Sequence, residues 1–139
     1  MKPAQLIACV GLGAAWGALA YMIGAKAFGA TIWAGVALGP LIGGSVGVLM
    51  QHRFQQTGWR WLTALGTLYV SASAFGLAAG VYELWTHPGN RPFEMIWSGV
   101  AMTLYGTTLF VLFLWPLAYG THLLVEYIGN RRGRSAVGG

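Results

Sequence analysis

The sequence predicts an all-α, polytopic membrane protein: a four-transmembrane-helix antiparallel bundle with a long, proline-kinked fourth helix. Hydrophobic residue types make up 56% of the 139 residues and charged types only 8%, whereas a soluble domain carries about 25% charged residues. Four long stretches are almost free of charge and alternate with short polar segments. Pro116 stands within the last of these stretches.

The first two predicted spans form a hairpin. Span one covers residues 6–24 and span two covers residues 28–50, and neither contains a charged residue. Each is long enough to cross a hydrocarbon core of about 30 Å. Only three residues separate the spans, so the two helices run antiparallel. Lys2 and the segment Ala18-Leu19-Ala20 also fit a cleaved signal peptide; we expect a retained helix instead.

The other two predicted spans flank a turn. Span three covers residues 61–84 and span four residues 95–127, and the segment His87-Pro88-Gly89-Asn90 between them is typical of a turn. Span four is too long for a perpendicular crossing, because a helix from Glu94 to Ile128 would measure about 50 Å. Pro116 predicts a kink or break between residues 112 and 116. A strongly tilted straight helix is the alternative.

The positions of the basic residues predict the orientation. One predicted side carries Lys2, Arg53, Arg60, Arg131, Arg132 and Arg134, and the other carries Lys26 and Arg91. Because Lys and Arg concentrate in cytoplasmic loops, we expect both termini in the cytoplasm. Residues 1–128 then form a single membrane domain and residues 129–139 a basic cytoplasmic tail. The preference for Arg over Lys, with abundant Ala and Gly, favours a bacterial inner membrane.

Small residues at a spacing of four predict close helix packing. Span two contains Gly35, Gly39, Gly43 and Gly47, and span one contains Gly13 and Gly17. A spacing of four keeps residues near one helix face, and small residues let two helices approach closely in lipid. This face serves packing within the chain, or it is an oligomer face or a pore lining. Three tryptophans at deeper positions are candidate packing anchors: Trp16, Trp33 and Trp115.

Several function classes lack their characteristic residues. No ionisable residue lies in the middle of a span, which argues against ion-coupled carriers. No nucleophile with its base, no paired carboxylates and no phosphate loop are present, which argues against an enzyme. The net charge of +5 comes without a basic stripe interleaved with aromatics, so we expect no nucleic-acid partner.

The sequence therefore predicts a non-catalytic accessory or structural subunit that packs within a larger membrane protein complex. Its expected partners are membrane lipids and other membrane protein subunits, with Arg131, Arg132 and Arg134 contacting a partner or anionic lipid. No cofactor is predicted.

Two other interpretations stay open. The first is a small homo-oligomeric channel or holin-like pore former, in which the glycine stripe of span two lines the pore. The second is a subunit that binds haem or a chlorophyll-type pigment through His52 and His122, which fall on the same predicted side. His122 and Glu126, four residues apart on one helix, are expected to make a local polar contact.

Overall fold

The computed structural model describes residues 3–23, 32–87 and 91–135, which form five helices. They are α1 (Pro3–Ile23), α2 (Ile32–Gln56), α3 (Arg60–Thr86), α4 (Pro92–Leu109) and α5 (Val111–Ser135). The predicted all-helical fold is confirmed. Within the described residues, three helices are long and apolar enough to cross a membrane, through Pro3–Ala20, Arg60–Thr86 and Val111–Arg131. These three helices indicate a membrane protein.

Helices α1 and α2 pack through glycines. Gly13 faces Gly39 and Gly43 so closely that a Cβ added to Gly13 would lie 2.8 Å from the Cα of Gly43. One turn away, a Cβ on Gly47 would lie 2.8 Å from the Sγ of Cys9. Later residues of α2 thus face earlier residues of α1, and the two helices are antiparallel.

Helices α3 and α4 repeat this arrangement. A Cβ on Gly76 would lie 2.7 Å from the Cα of Val100, and one on Gly80 would lie 2.6 Å from the Cα of Ile96. Gly99 of α4 is buried against the same two glycines. The pairing runs antiparallel, so both hairpins hold their helices together by backbone contact at small residues.

The fourth hydrophobic segment is interrupted at Phe110, which separates α4 from α5. The Phe110 N–H donates to the Gly106 carbonyl at 3.2 Å, and regular bonding resumes where the Leu114 N–H donates to the Phe110 carbonyl at 2.9 Å. Phe110 itself has φ −100° and ψ 9°. The interruption precedes the predicted interval, residues 112–116, by two residues, and Pro116 lies inside α5. We call residues 109–113 the elbow.

Helix α5 lies across one end of the bundle. Its Trp115 reaches the first turn of α3, its His122 contacts Gln51 near the end of α2, and a Cβ on Gly129 would meet the side chain of Gln5 near the start of α1. Successive turns of α5 therefore contact α3, α2 and α1 in that order. This end of the bundle also carries Arg53, Arg60 and Arg131, and we call it the basic end.

Two helices extend beyond the predicted spans at the basic end. Helix α2 continues through Gln56, six residues after the predicted limit at Met50. Helix α5 continues to Ser135, through the first residues of the segment assigned to the tail. Hydropathy indicates where a chain leaves the lipid. The hydrogen bonds of the helix can continue through polar residues beyond that point, until a helix-breaking residue such as Gly58 follows.

Candidate functional site

A cluster of buried polar side chains lies beneath α5 at the basic end. It consists of Gln51, Thr67 and His122, and we call it the polar cluster. Gln51 is 1% exposed and His122 is 5% exposed. The Nδ1 atom of His122 lies 2.6 Å from Oε1 of Gln51, and its Nε2 atom lies 2.8 Å from Oγ1 of Thr67.

Helical spacing brings these three side chains together. Gln51 follows Gly47 by four residues and so continues the face of α2 that packs on α1. Thr67 lies on α3, four residues after Thr63 and so on the same face of the helix. His122 shares the buried face of α5 with Ala118 and Val125. Each side chain therefore points into the space between the four helices α1, α2, α3 and α5.

The hydrogen bonds link the tautomer of the His122 ring to its neighbours. With Oε1 of Gln51 facing Nδ1, as in the structure, Nδ1 carries a proton and donates it to the amide oxygen; a neutral ring then accepts at Nε2 from the Thr67 hydroxyl. If the Thr67 hydroxyl instead donates to the Thr63 carbonyl at 2.8 Å, Nε2 carries the proton, and a neutral ring requires the NH₂ group of Gln51 at Nδ1. The position of the ring proton and the orientation of the amide are therefore coupled at this contact.

The second polar atom of the Gln51 amide faces away from His122. In the structure this atom is Nε2, which is buried and has no hydrogen-bond partner among the described residues. An unsatisfied buried donor or acceptor costs about 1–3 kcal/mol. The amide is thus a place where a further hydrogen-bonding group would stabilise the protein.

Aromatic side chains shield the polar cluster on its outer side. Phe54 is 0% exposed and stacks on the His122 ring, with 4.7 Å between the centroids. The Arg60 guanidinium lies 5.2 Å from the Phe54 centroid and forms an ion pair with Glu126 at 3.2 Å. Beyond Phe54, the ring of Tyr119 contacts it edge-on at 5.7 Å. These side chains separate the polar cluster from the surface at the basic end.

One space adjoins the polar cluster, and a second space shares part of its wall. The first is a cavity of about 80 Å³ between α1, α2, α3 and α5, which we call the head cavity. The second is a groove of about 550 Å³ between α1, α3, α4 and the elbow, which we call the apolar groove. Both are lined by the same four residues where they meet: Trp16, Leu68, Ser71 and Phe75.

The glycines singled out in the sequence lie mainly inside the first hairpin. Gly13, Gly39, Gly43 and Gly47 are at the contact between α1 and α2, and Gly17 is buried in α1. Gly35 belongs to α2, but its surroundings lie outside the described part of the chain. The described glycines of the stripe are thus occupied by packing within the chain.

The three candidate anchor tryptophans have different surroundings. Trp16 is half-buried and lines both the head cavity and the apolar groove. The indole N–H of Trp115 donates to the backbone carbonyl of Trp61 at 2.8 Å, and the two rings meet edge-on at 5.8 Å. The side chain of Trp33 lies outside the described part of the chain.

The basic residues predicted to contact a partner or lipid lie at the end of α5. Arg131 is exposed. The side chains of Arg132 and Arg134 are outside the described part.

The two candidate haem ligands have unlike environments. His52 is exposed on α2. His122 is buried with both ring nitrogens engaged, one with Gln51 and one with Thr67, which leaves neither free to bind iron. The expected contact between His122 and Glu126 does not form, because Glu126 pairs with Arg60 instead. Among the described residues, no group of three or more His, Cys, Asp or Glu could hold a metal ion.

Gln51 and Phe54 are not among the candidates that the sequence indicates, because both fall in the polar segment between spans two and three. The available signal was the spacing, because Gln51 extends the series Gly39, Gly43, Gly47 by another interval of four. The burial of Gln51 depends on α5 crossing the basic end of the bundle, and the spacing of residues within α2 does not predict that crossing.

Comparisons with known proteins provide no relative. No family model matches the sequence, and no curated protein or solved structure is significantly similar to it. Function is therefore argued from the geometry alone.

Proposed function

We propose that the protein is a non-catalytic integral-membrane subunit that docks into a larger membrane protein complex through the elbow. The observation that carries this proposal is a helix interruption with exposed apolar side chains around it. Leu112 and Phe113 are each 78% exposed. Leu109 and Phe110 are exposed beside them.

The depth of the elbow follows from its contact with α3. The Thr108 hydroxyl lies 3.1 Å from the Tyr69 hydroxyl, and Tyr69 is about 13 Å along α3 from Arg60. The whole of α3 measures about 40 Å, against a hydrocarbon core of about 30 Å. An α3 that crosses the membrane therefore carries the start of the elbow inside the hydrocarbon region, and the chain runs from there towards Trp61 in the first turn of α3, which Trp115 contacts.

An interrupted helix at that depth needs protein around it. Regular bonding stops with the bond from Phe110 to Gly106 and resumes with the bond from Leu114 to Phe110. Between them the Phe113 N–H donates to the Phe110 carbonyl at 3.0 Å, so the regular bonding pattern is interrupted, and hydrocarbon offers no partner for a group left without one. Irregular backbone is tolerated at membrane depth where other protein segments or water surround it. A helix of another subunit, packed on Leu112 and Phe113, supplies that cover.

The proposal includes four crossings by α1, α2, α3 and the pair α4 and α5. The uncharged stretch of residues 28–50 supports a crossing by α2, and its antiparallel glycine contact with α1 supports the same conclusion. We attribute the elbow to Pro116, whose ring collides with the carbonyl of Leu112 and whose nitrogen cannot donate. The position of Arg53, Arg60 and Arg131 at one end supports a cytoplasmic basic end in a bacterial inner membrane.

The packing of the glycine stripe favours a subunit over a pore former. Gly39, Gly43 and Gly47 face α1 of the same chain, so they are not available to line a pore unless the hairpin opens. A homo-oligomeric channel would need another lining face. None of the described contacts favours one.

Photo-crosslinking from the elbow tests the docking proposal. A benzophenone amino acid is introduced at Leu112 or Phe113 and, as matched controls, at Leu41 or Leu49, which are similarly exposed on α2. The native membrane is irradiated and the crosslinked products are identified by mass spectrometry. We expect one heterologous membrane protein to be crosslinked from the elbow positions and not from the α2 positions.

Two outcomes would contradict docking through the elbow. Products that contain only copies of this chain would favour the homo-oligomeric channel. Products formed from α2 as readily as from the elbow would place the contact elsewhere on the surface.

A further inference from the structure

The head cavity presents hydrogen-bonding groups at one end of an otherwise apolar space. Gln51, Thr67 and His122 line it together with Ser71 and the walls of the first hairpin. Gln51 lines this space and is almost completely buried, and its amide Nε2 has no hydrogen-bond partner among the described residues. A ligand that supplies a hydrogen-bonding oxygen would satisfy it.

The apolar groove lies beside the head cavity. Trp16, Leu68, Ser71 and Phe75 line both spaces, so a ligand that displaces one of these side chains would occupy the two together. Its volume of about 550 Å³ lies in the range that encloses whole organic ligands. Its walls are mostly aliphatic and aromatic side chains of α1, α3, α4 and the elbow. Such walls accommodate a hydrocarbon tail and not a chain of water molecules.

The lining restricts the charge of the ligand. None of the described residues that line the two spaces is Lys, Arg, Asp or Glu, and both ring nitrogens of His122, which lines the head cavity, are engaged by Gln51 and Thr67. Arg60 is outside the lining and is paired with Glu126. A phosphate or carboxylate head would therefore be buried without a counter-charge, which is strongly unfavourable. The head must be neutral and carry an oxygen that forms hydrogen bonds.

The composition of the head cavity's walls favours a flat ring. Its walls include the aromatic side chains of Trp16 and Phe75 and the bare backbone of Gly13, Gly39 and Gly43. We infer that the protein binds a quinone, with a ring oxygen in hydrogen-bonding contact with Gln51 and the tail in the apolar groove. A quinone carbonyl accepts from the amide NH₂, and a quinol hydroxyl also donates to the amide oxygen. Both orientations of the Gln51 amide are thereby satisfied.

Binding of a decyl-tailed benzoquinone to the purified full-length chain tests this inference. Binding is measured by quenching of tryptophan fluorescence, and dodecane is the tail-only competitor. Gln51→Leu removes the amide, whereas Gly106→Leu fills the groove from a position where an added Cβ meets nothing within 4 Å. Gly11→Leu is the matched control, because an added Cβ there is equally free and Gly11 lines neither space.

We expect saturable binding of one quinone per chain, weakened about tenfold or more by Gln51→Leu and by Gly106→Leu and unchanged by Gly11→Leu. Unfolding temperatures of all variants are recorded, and Gly106→Leu decides the result if Gln51→Leu does not fold. Absence of saturable binding, or equal binding by the groove variant, would show that the spaces hold only water or lipid. Displacement by dodecane as effective as by quinone would show that the head is not recognised.

Discussion

Single glycines determine how closely the helices of each hairpin approach. At Gly43, an added Cβ would lie 3.0 Å from the backbone nitrogen of Gly13 and 3.1 Å from the carbonyl oxygen of Cys9. Both neighbours are backbone atoms, which cannot rotate away as the end of a side chain can. One methyl group therefore has to move a whole helix.

We expect Gly43→Ala to destabilise the protein by about 1–3 kcal/mol, the usual cost of overpacking a close contact. Thermal unfolding in a mild detergent, followed by circular dichroism, measures the change. Gly11→Ala is the control, since its Cβ meets nothing within 4 Å, and its unfolding temperature should equal or slightly exceed that of the wild type. Equal stability of the two variants would contradict the close packing of α1 on α2.

The elbow is the element on which the direction of α5 depends. Before it, α4 packs along α3; after it, α5 turns across α2 towards α1. The polar cluster exists because of this change of direction, since His122 would otherwise lie beside α3 alone. If Pro116 causes the elbow, restoring a backbone donor there should straighten the segment.

We expect Pro116→Ala to lengthen the distance between spin labels on Met102 and Leu124, because the backbone N–H of the new alanine can bond the Leu112 carbonyl. A continuous helix would separate these positions by about 33 Å. Pulsed electron paramagnetic resonance measures the distance in a Cys9→Ala background. Labels on Val70 and Val81, both in α3, provide a distance that should stay constant. An unchanged distance from Met102 to Leu124 would mean that the elbow has another cause.

At the scale of the whole molecule, the sequence predicts the helical membrane fold because composition and uncharged length suffice for it. The glycine spacing also indicates which face of α2 packs closely, and the structure places that face on α1. The antiparallel first hairpin follows from its three-residue connection. These features depend only on residues close in the chain or on one helix.

The polar cluster could not be predicted in the same way. It joins Gln51, Thr67 and His122, which come from three different helices. Thr67 and His122 are 55 residues apart in the chain, and Gln51 and His122 are 71 residues apart. Only the path of α5 after the elbow brings them together. Pro116 predicts a break between residues 112 and 116. The break lies at Phe110 instead, and its position depends on how α4 and α5 pack against their neighbours.

The proposed docking through the elbow depends on the membrane topology, because the elbow requires cover by another protein only if it lies in hydrocarbon. Single cysteines at Gln56, Asn130 and Thr86, all exposed near helix ends, are introduced into a Cys9→Ala background. Right-side-out membrane vesicles are then treated with an impermeant maleimide. We predict that only the cysteine at Thr86 reacts, and that those at Gln56 and Asn130 react after permeabilisation. Reaction of all three from outside, or recovery of the chain in the soluble fraction, would contradict the account.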